Sequence, residues 1–469
     1  MSAVPMTHED ETGLTPELLR LSAVLLLGAI AAILDTTIVA VAIDRLGDEL
    51  GTTLSTIQWV STGYLLALTV AIPLTGWAVD RFGGRRMWMF SLTGFLGGSV
   101  LCGLAWSAES LIAFRVVQGL GGGMLVPLMQ SILAQAAGPK RIGRAMAIVA
   151  IPAQLGPILG PVVGGLIVDG ASWRWIFFVN VPVCLVALAL AWRWMPDTRH
   201  ENTRSRLDFT GLALLSPALA GIVYGLSQAG DAGGFGASSV LVPLGIGLAL
   251  LTGFVVHALR TSNVPIIDVR LLKVRSFAAS TGLMFALGGS LFGAMFLLPL
   301  FEQVARDRSA LQAGLLLAPQ GAGTMIALVI AGRLSDRIAP RILVLTGLAL
   351  GTLSTLPYAL VETGTSELLL GAALFVRGAG LGLAIVPTMT AFYADISRAE
   401  IPRATASMRI IQQIGGSLGT AVLAVILQHA LAGEADATAA FATTFWWTVG
   451  LAGVALIPAL LLPSRRAAA

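Results

Sequence analysis

Apolar residues in this chain come in long blocks separated by short polar connections, and the blocks have the length of a membrane-crossing helix rather than of a strand. The first runs from Leu21 to Ile43. Others cover approximately 57–79, 87–106, 109–136, 144–168, 175–195, 208–228, 239–259, 277–301, 311–332, 341–361, 367–393, 405–429 and 441–462. About 20 apolar residues cross the roughly 30 Å of hydrocarbon in a bilayer, so the pattern predicts fourteen spans. No connection is long enough to hold a domain. The first twenty residues, with His8, Glu9, Asp10 and Glu11, read as an acidic tail without the basic start of a signal peptide, so the first block is expected to be retained.

Composition agrees: 56% hydrophobic and 12% charged residues, with a mean hydropathy of +0.85, predict an all-α integral membrane protein. The 54 glycines lie largely inside apolar blocks, where they serve close helix packing rather than flexibility. The pI near 9.5 reflects topology, not nucleic acid. Arg81, Arg85, Arg86, Lys140, Arg141, Arg144, Arg333, Arg337 and Arg341 all fall in alternate connections, whereas the others hold only Arg45, Arg174, Arg306 and Arg308. By the positive-inside rule both termini are cytoplasmic. Cys102 and Cys184 sit in apolar blocks, and His8, His200, His257 and His429 are scattered, so no metal site, cofactor or nucleophile–base pair is expected and the chain does not read as an enzyme.

The chain repeats itself. Arg144–Gly160 aligns without gaps on Arg403–Gly419 at an offset of 259 residues, and Gly76–Gly83 aligns on Gly332–Ala339 at an offset of 256. The repeat unit is therefore six spans, with two more inserted: 1–195 forms an amino-terminal bundle, 196–275 a linker carrying two extra helices, and 276–469 a carboxyl-terminal bundle. The loops flanking the extra pair are the expected hinges.

Asp35 in the first block and Arg115 in the fourth are charges where a charge costs roughly 2.5–3.5 kcal/mol or more. At 1.5 Å per residue both lie about 9–12 Å below the outer surface, so they can meet. Either they form a fixed structural ion pair, or Asp35 takes up and releases a driving proton while Arg115, when near, favours its ionised form. Arg377 lies inside the twelfth block, and the position 259 residues beyond Asp35 is Ala294, so the second half offers no equivalent acid. A net positive interior suits neutral, zwitterionic or anionic lipophiles; Arg377 satisfied by backbone carbonyls or water is the alternative. Gln58, Trp59, Tyr64, Gln118, Gln130, Gln154, Asn180 and Gln413 are the other candidates for a cavity wall, although each residue type more often bonds helix to helix. Gly119–Gly123 superficially matches a phosphate loop, but it lacks Gly-Lys-Ser/Thr and lies within a span, so close packing is expected.

LDTTIVAVAI (34–43), GWAVDRFGGRR (76–86), FRVVQGLGGG (114–123), LGPILGPVVGG (155–165) and WRWIFFVNVP (173–182) together make the chain resemble the major facilitator superfamily, and within it the fourteen-span drug:proton antiporters of the EmrB/QacA type, over nearly its whole length. The resemblance implies two six-helix bundles exchanging access to a central site. It implies that Gly76, Asp80, Arg81, Gly83, Arg85 and Arg86, echoed by Asp336 and Arg337, latch the cytoplasmic side, and that Gly156, Pro157, Gly160, Pro161, Gly164 and Gly165 form the antiporter motif. Two positions depart from the family pattern: Ala40 and Asp44 stand where the first motif usually continues with Asn and Pro. The expected function is proton-coupled export of lipophilic small molecules from the plasma membrane by a monomer surrounded by lipid. A dedicated exporter of one metabolite, antibiotic or lipid on the same scaffold is the alternative.

Overall fold

The structure, a computed structural model, describes residues 15–462 apart from 139–140, 197–205, 262, 336, 363 and 434–435. All its regular elements are helical; no strand occurs among the described residues. The long helices of the amino-terminal half are α1 (Pro16–Val41), α2 (Trp59–Ala71), α3 (Leu74–Phe82), α4 (Gly84–Gly103), α5 (Ala108–Ala137), α6 (Ile142–Gly170) and α7 (Asn180–Trp194). A hairpin of α8 (Phe209–Asp231) and α9 (Ser238–Arg260) follows. The second half comprises α10 (Arg275–Leu300), α11 (Ala318–Leu334), α12 (Pro340–Leu353), α13 (Glu367–Tyr393), α14 (Ile401–Gly433) and α15 (Ala437–Val454).

Local chemistry starts and bends these helices. Thr15 caps α1 by accepting from Leu18 N at 3.3 Å, with Pro16 preset for the first turn. Ser107 and Ser110 form a reciprocal capping box on α5. Helices α2 and α3 are one apolar run bent by 53° at the break holding Pro73, which lacks the N–H that would continue the ladder. Among the described residues, eleven helices are long and apolar enough to cross a membrane, or twelve with the bent pair as one. The blocks predicted at 87–106 and 144–168 form α4 and α6, 20 and 29 residues long, which are outside that set. Helix α4 opens on Arg85 and Arg86 and is diluted by glycine, serine and threonine.

Glycine sets the packing distances within each half. A Cβ on Gly98 of α4 would fall 2.5 Å from the Cα of Gln118 on α5, and one on Gly119 would fall 2.6 Å from the Tyr64 carbonyl on α2. The Gly119–Gly123 run is thus the face on which α5 touches two neighbours, as expected of close packing rather than phosphate binding. Gly347 and Gly380 bring α12 and α13 together in the same way.

The extra hairpin is not peripheral. Helix α8 lies in the seam between α2 and α14: Ser216 Oγ donates to Val70 O at 3.1 Å, and Trp59 stacks on Tyr224 with centroids 5.7 Å apart. Ile72, Leu215, Leu219, Ala406 and Ile410 share one buried cluster, so α8 bridges both halves. The flanking loops expected to act as hinges include 197–205, which lie outside the described residues.

Candidate functional site

Helices α1, α4, α5 and α7 surround one buried centre, and each contributes a polar side chain to it. Asp35 and Gln118 are fully buried, Arg115 is 1% exposed, and Ser99 and Asn180 are buried beside them. Arg115 Nη1 donates to Asp35 Oδ2 in a buried ion pair. The other carboxylate oxygen accepts from Gln118 Nε2 at 2.9 Å and from Asn180 Nδ2 at 2.9 Å. The array continues outward: Arg115 Nη1 also donates to Gln118 Oε1 at 2.7 Å, and Arg115 Nε to Val60 O at 3.1 Å. Both amides reach Ser99 Oγ, at 3.1 and 3.0 Å, and Ser99 in turn donates to Phe177 O. Cys102 Sγ lies 3.6 Å from Gln118 Oε1, so this thiol lines the network. The guanidinium sits over the Tyr64 ring, 3.9 Å from its centroid.

Among the described residues, every hydrogen bond to Asp35 comes from a donor, which is the arrangement an ionised carboxylate requires. A proton added to Asp35 would point at N–H groups rather than at an acceptor. The described array therefore fits the ionised carboxylate.

The predicted antiporter motif lies against this centre. Gly156 and Gly160 of α6 face Ile33 and Thr37, which flank Asp35 on α1, and a Cβ at Gly160 would collide with Thr37 Oγ1. Thr37 Oγ1 also bonds to Gly156 O at 3.1 Å. Gly164 is buried, whereas Gly165 has open space where a Cβ would stand. Gln154, Pro157 and Pro161 sit on α6 at positions whose side chains lie outside the described residues.

The predicted latch joins the two halves. Asp80 Oδ2 meets Arg403 Nη2 of α14 at 2.6 Å, and a Cβ on Gly76 would lie 2.7 Å from Arg403 Cγ. Gly332 of α11 approaches Ala147 and Arg144 of α6 in the pseudo-equivalent contact. Gly83 links α3 to α4 at φ +83°, a conformation that favours glycine. Arg85 donates to Trp192 O, while Arg81, Arg86 and Arg337 are exposed; Asp336 lies outside the described residues.

Of the predicted cavity residues, Gln118 and Asn180 bond to Asp35, and Tyr64 lies against the Arg115 guanidinium. Gln58 is exposed, Trp59 packs on the inserted helix, Gln130 is buried further along α5, and Gln413 is half-buried on α14. Arg377 stands apart in the second half, bonded to Gln320 Oε1 at 2.9 Å and Ser290 O at 3.2 Å. Three polar residues at these places escaped the sequence reading. Ser99 has no sequence signal. Arg403 is the repeat partner of Arg144 but carries no mark of pairing with Asp80. Glu302 lies one residue past the predicted block ending at 301; a π-helical turn over Phe301–Ala305 carries the helix onward and leaves Glu302 4% exposed, 3.9 Å from Arg306. Among the described residues, no group of three His, Cys, Asp or Glu side chains could hold a metal.

The Major Facilitator Superfamily profile matches residues 25–420. The chain is 41% identical over 414 residues to a Mycobacterium tuberculosis protein named multidrug resistance protein B homolog, covering 88% of this chain and 76% of that one. It is 31% identical to the multidrug export protein EmrB of Haemophilus influenzae, covering 86% and 79%, and 30% identical to the lincomycin resistance protein LmrB of Bacillus subtilis, covering 86% and 84%. Its fold is similar to that of the human organic anion transporter MFSD10, with a TM-score of 0.66, 18% identity and coverage of 96% and 100%.

Proposed function

The chain belongs to the Major Facilitator Superfamily, and we propose that it is a multidrug exporter driven by protons, with Asp35 as the proton carrier and Arg115, Gln118 and Asn180 as the groups that tie its charge to the position of the helices. Relatives named for multidrug resistance and export support the cargo class. The observation that carries the coupling is the donor-only shell around a fully buried carboxylate. Protonating Asp35 disrupts that shell, frees α1 from α5 and α7, and lets α6 slide against it at Gly156 and Gly160. Deprotonation on the other side draws the shell together again.

In this reading α4 and α6 also cross the bilayer, giving fourteen crossings with both termini in the cytoplasm of a multi-pass plasma-membrane protein. The Asp80 end is then the cytoplasmic end, closed by the Asp80–Arg403 pair. The two bundles, 1–195 and 276–469, rock about the site with the 196–275 segment bridging them, and one copy is sufficient. One proton descending about 150 mV supplies roughly 3.4 kcal/mol, enough for about a 300-fold gradient of cargo at one-to-one exchange.

Sealed everted vesicles with an acidic lumen test this. The native chain is expected to accumulate neutral, zwitterionic or anionic lipophilic dyes only while the gradient lasts, and Asp35→Asn to accumulate none although it is folded and inserted. Gradient-independent accumulation, or equal accumulation by Asp35→Asn, refutes the coupling. Accumulation of one compound alone from a broad panel would assign the chain to a dedicated export role, of which a lincomycin-resistance relative is a reminder.

A further inference from the structure

The carboxyl-terminal half holds a charge that the coupling mechanism leaves unused. Helices α10, α11, α12, α13 and α15 surround Arg377 much as α1, α2, α4, α5 and α7 surround Arg115, as expected if the six-span repeat builds both bundles alike. Arg377 is 6% exposed, and among the described residues no carboxylate pairs with it. Its described partners are neutral: Gln320 Oε1 at 2.9 Å, Ser290 O at 3.2 Å and Ser290 Oγ at 3.5 Å. Ser290 is one turn before Ala294, the repeat position of Asp35, and so shares its helix face. Where the first bundle has a carboxylate beside its guanidinium, the second has a cavity of about 30 Å³, in which Arg377, Ser290, Thr352, Thr355 and Thr448 are the polar groups of a lining otherwise made of glycine, alanine and leucine. That is above the roughly 10–15 Å³ that accommodates one water, so the space can hold a small guest.

A buried guanidinium held only by neutral groups is costly, and a counter-ion relieves that cost. The chemistry beside it suits an anion. The guanidinium has only donors to offer, and the threonine hydroxyls, which here donate to carbonyls three or four residues back, are rotors that can turn a proton toward the cavity.

We propose that Arg377, Ser290 and the threonines of this cavity form a site for one small monovalent anion, a halide or the carboxylate end of a small molecule, standing in the second bundle where Asp35 stands in the first. The site is independent of proton coupling, so its failure leaves the Asp35 reading intact, and the converse holds.

The test is the thermal unfolding of the purified full chain in detergent at fixed ionic strength, with sodium gluconate replaced stepwise by sodium chloride or by sodium acetate. Native protein is expected to show a saturable rise in Tm of about 2 °C or more with at least one of the two small anions. Arg377→Gln is expected to show none. Ser290→Asp places a carboxylate beside the guanidinium and is also expected to lose the response, which keeps the test decisive if Arg377→Gln does not fold. A response to chloride assigns the site to an inorganic ion, and a response to acetate alone assigns it to a carboxylate-bearing molecule. No shift with either anion, or the same shift in native protein and variants, overturns the proposal and leaves the cavity to water.

Discussion

Arg115 carries more of the site than its charge. One guanidinium meets Asp35 and Gln118 through Nη1 and Val60 O through Nε, and rests on the Tyr64 ring. A lysine keeps the charge but not the planar fork. Arg115→Lys is therefore expected to lose gradient-driven dye transport by at least about tenfold while remaining folded, and Arg115→Ala, which strands a buried carboxylate, to lose about 3–5 kcal/mol of stability. Transport and chemical unfolding of the two variants check this. Among the described residues, the buried Tyr64 hydroxyl has no hydrogen-bond partner. Removing an unpaired buried hydroxyl costs little, so Tyr64→Phe is expected to match the native Tm; a marked loss would mean the hydroxyl binds something in the working protein.

Among the helices, contact is decided by where side chains are missing. Gly160 faces Thr37 of α1, and Gly165, five residues on, faces open space. Gly160→Val is expected to force α6 away from the turn carrying Asp35 and abolish transport, while Gly165→Ala retains it; overpacking of this kind typically costs about 1–3 kcal/mol. Dye efflux from cells carrying each variant at equal expression separates them. The motif was legible in sequence as a run of small residues, but which glycines face α1 was not. Helix rotation is set by packing partners far away in the chain, and an all-apolar helix has no polar face to reveal its orientation.

Across the whole molecule, the two halves meet through contacts that no local pattern announces. Asp80 and Arg403 are 323 positions apart in the chain, each in a short basic stretch that obeys the topology rule regardless of pairing. Asp80→Asn or Arg403→Ala is expected to weaken the closed state by about 1 kcal/mol and speed labelling of a Gln130→Cys reporter about fivefold. Exchanging the charges, Asp80→Arg with Arg403→Asp, should recover part of the protection. Unchanged labelling in all variants would remove the latch. The position of α8 in the seam between α2 and α14 belongs to this scale as well, since its own sequence marks it only as one more apolar block.

From its sequence alone this protein is helical and membrane-spanning, because bilayer thickness, backbone hydrogen bonding and the expense of buried charge act on each block separately. That logic also singled out Asp35, Arg115 and Arg377 as charges needing a reason. Which neighbours satisfy them was decided only in three dimensions. Gln118 and Asn180 reach Asp35 from two helices, and Ser99 holds both amides from a third; Arg403 crosses from the other half to Asp80; and the cavity beside Arg377 exists only because four helices leave room there. Such convergences depend on helix rotation and register, which hydrophobic blocks leave undetermined until they pack.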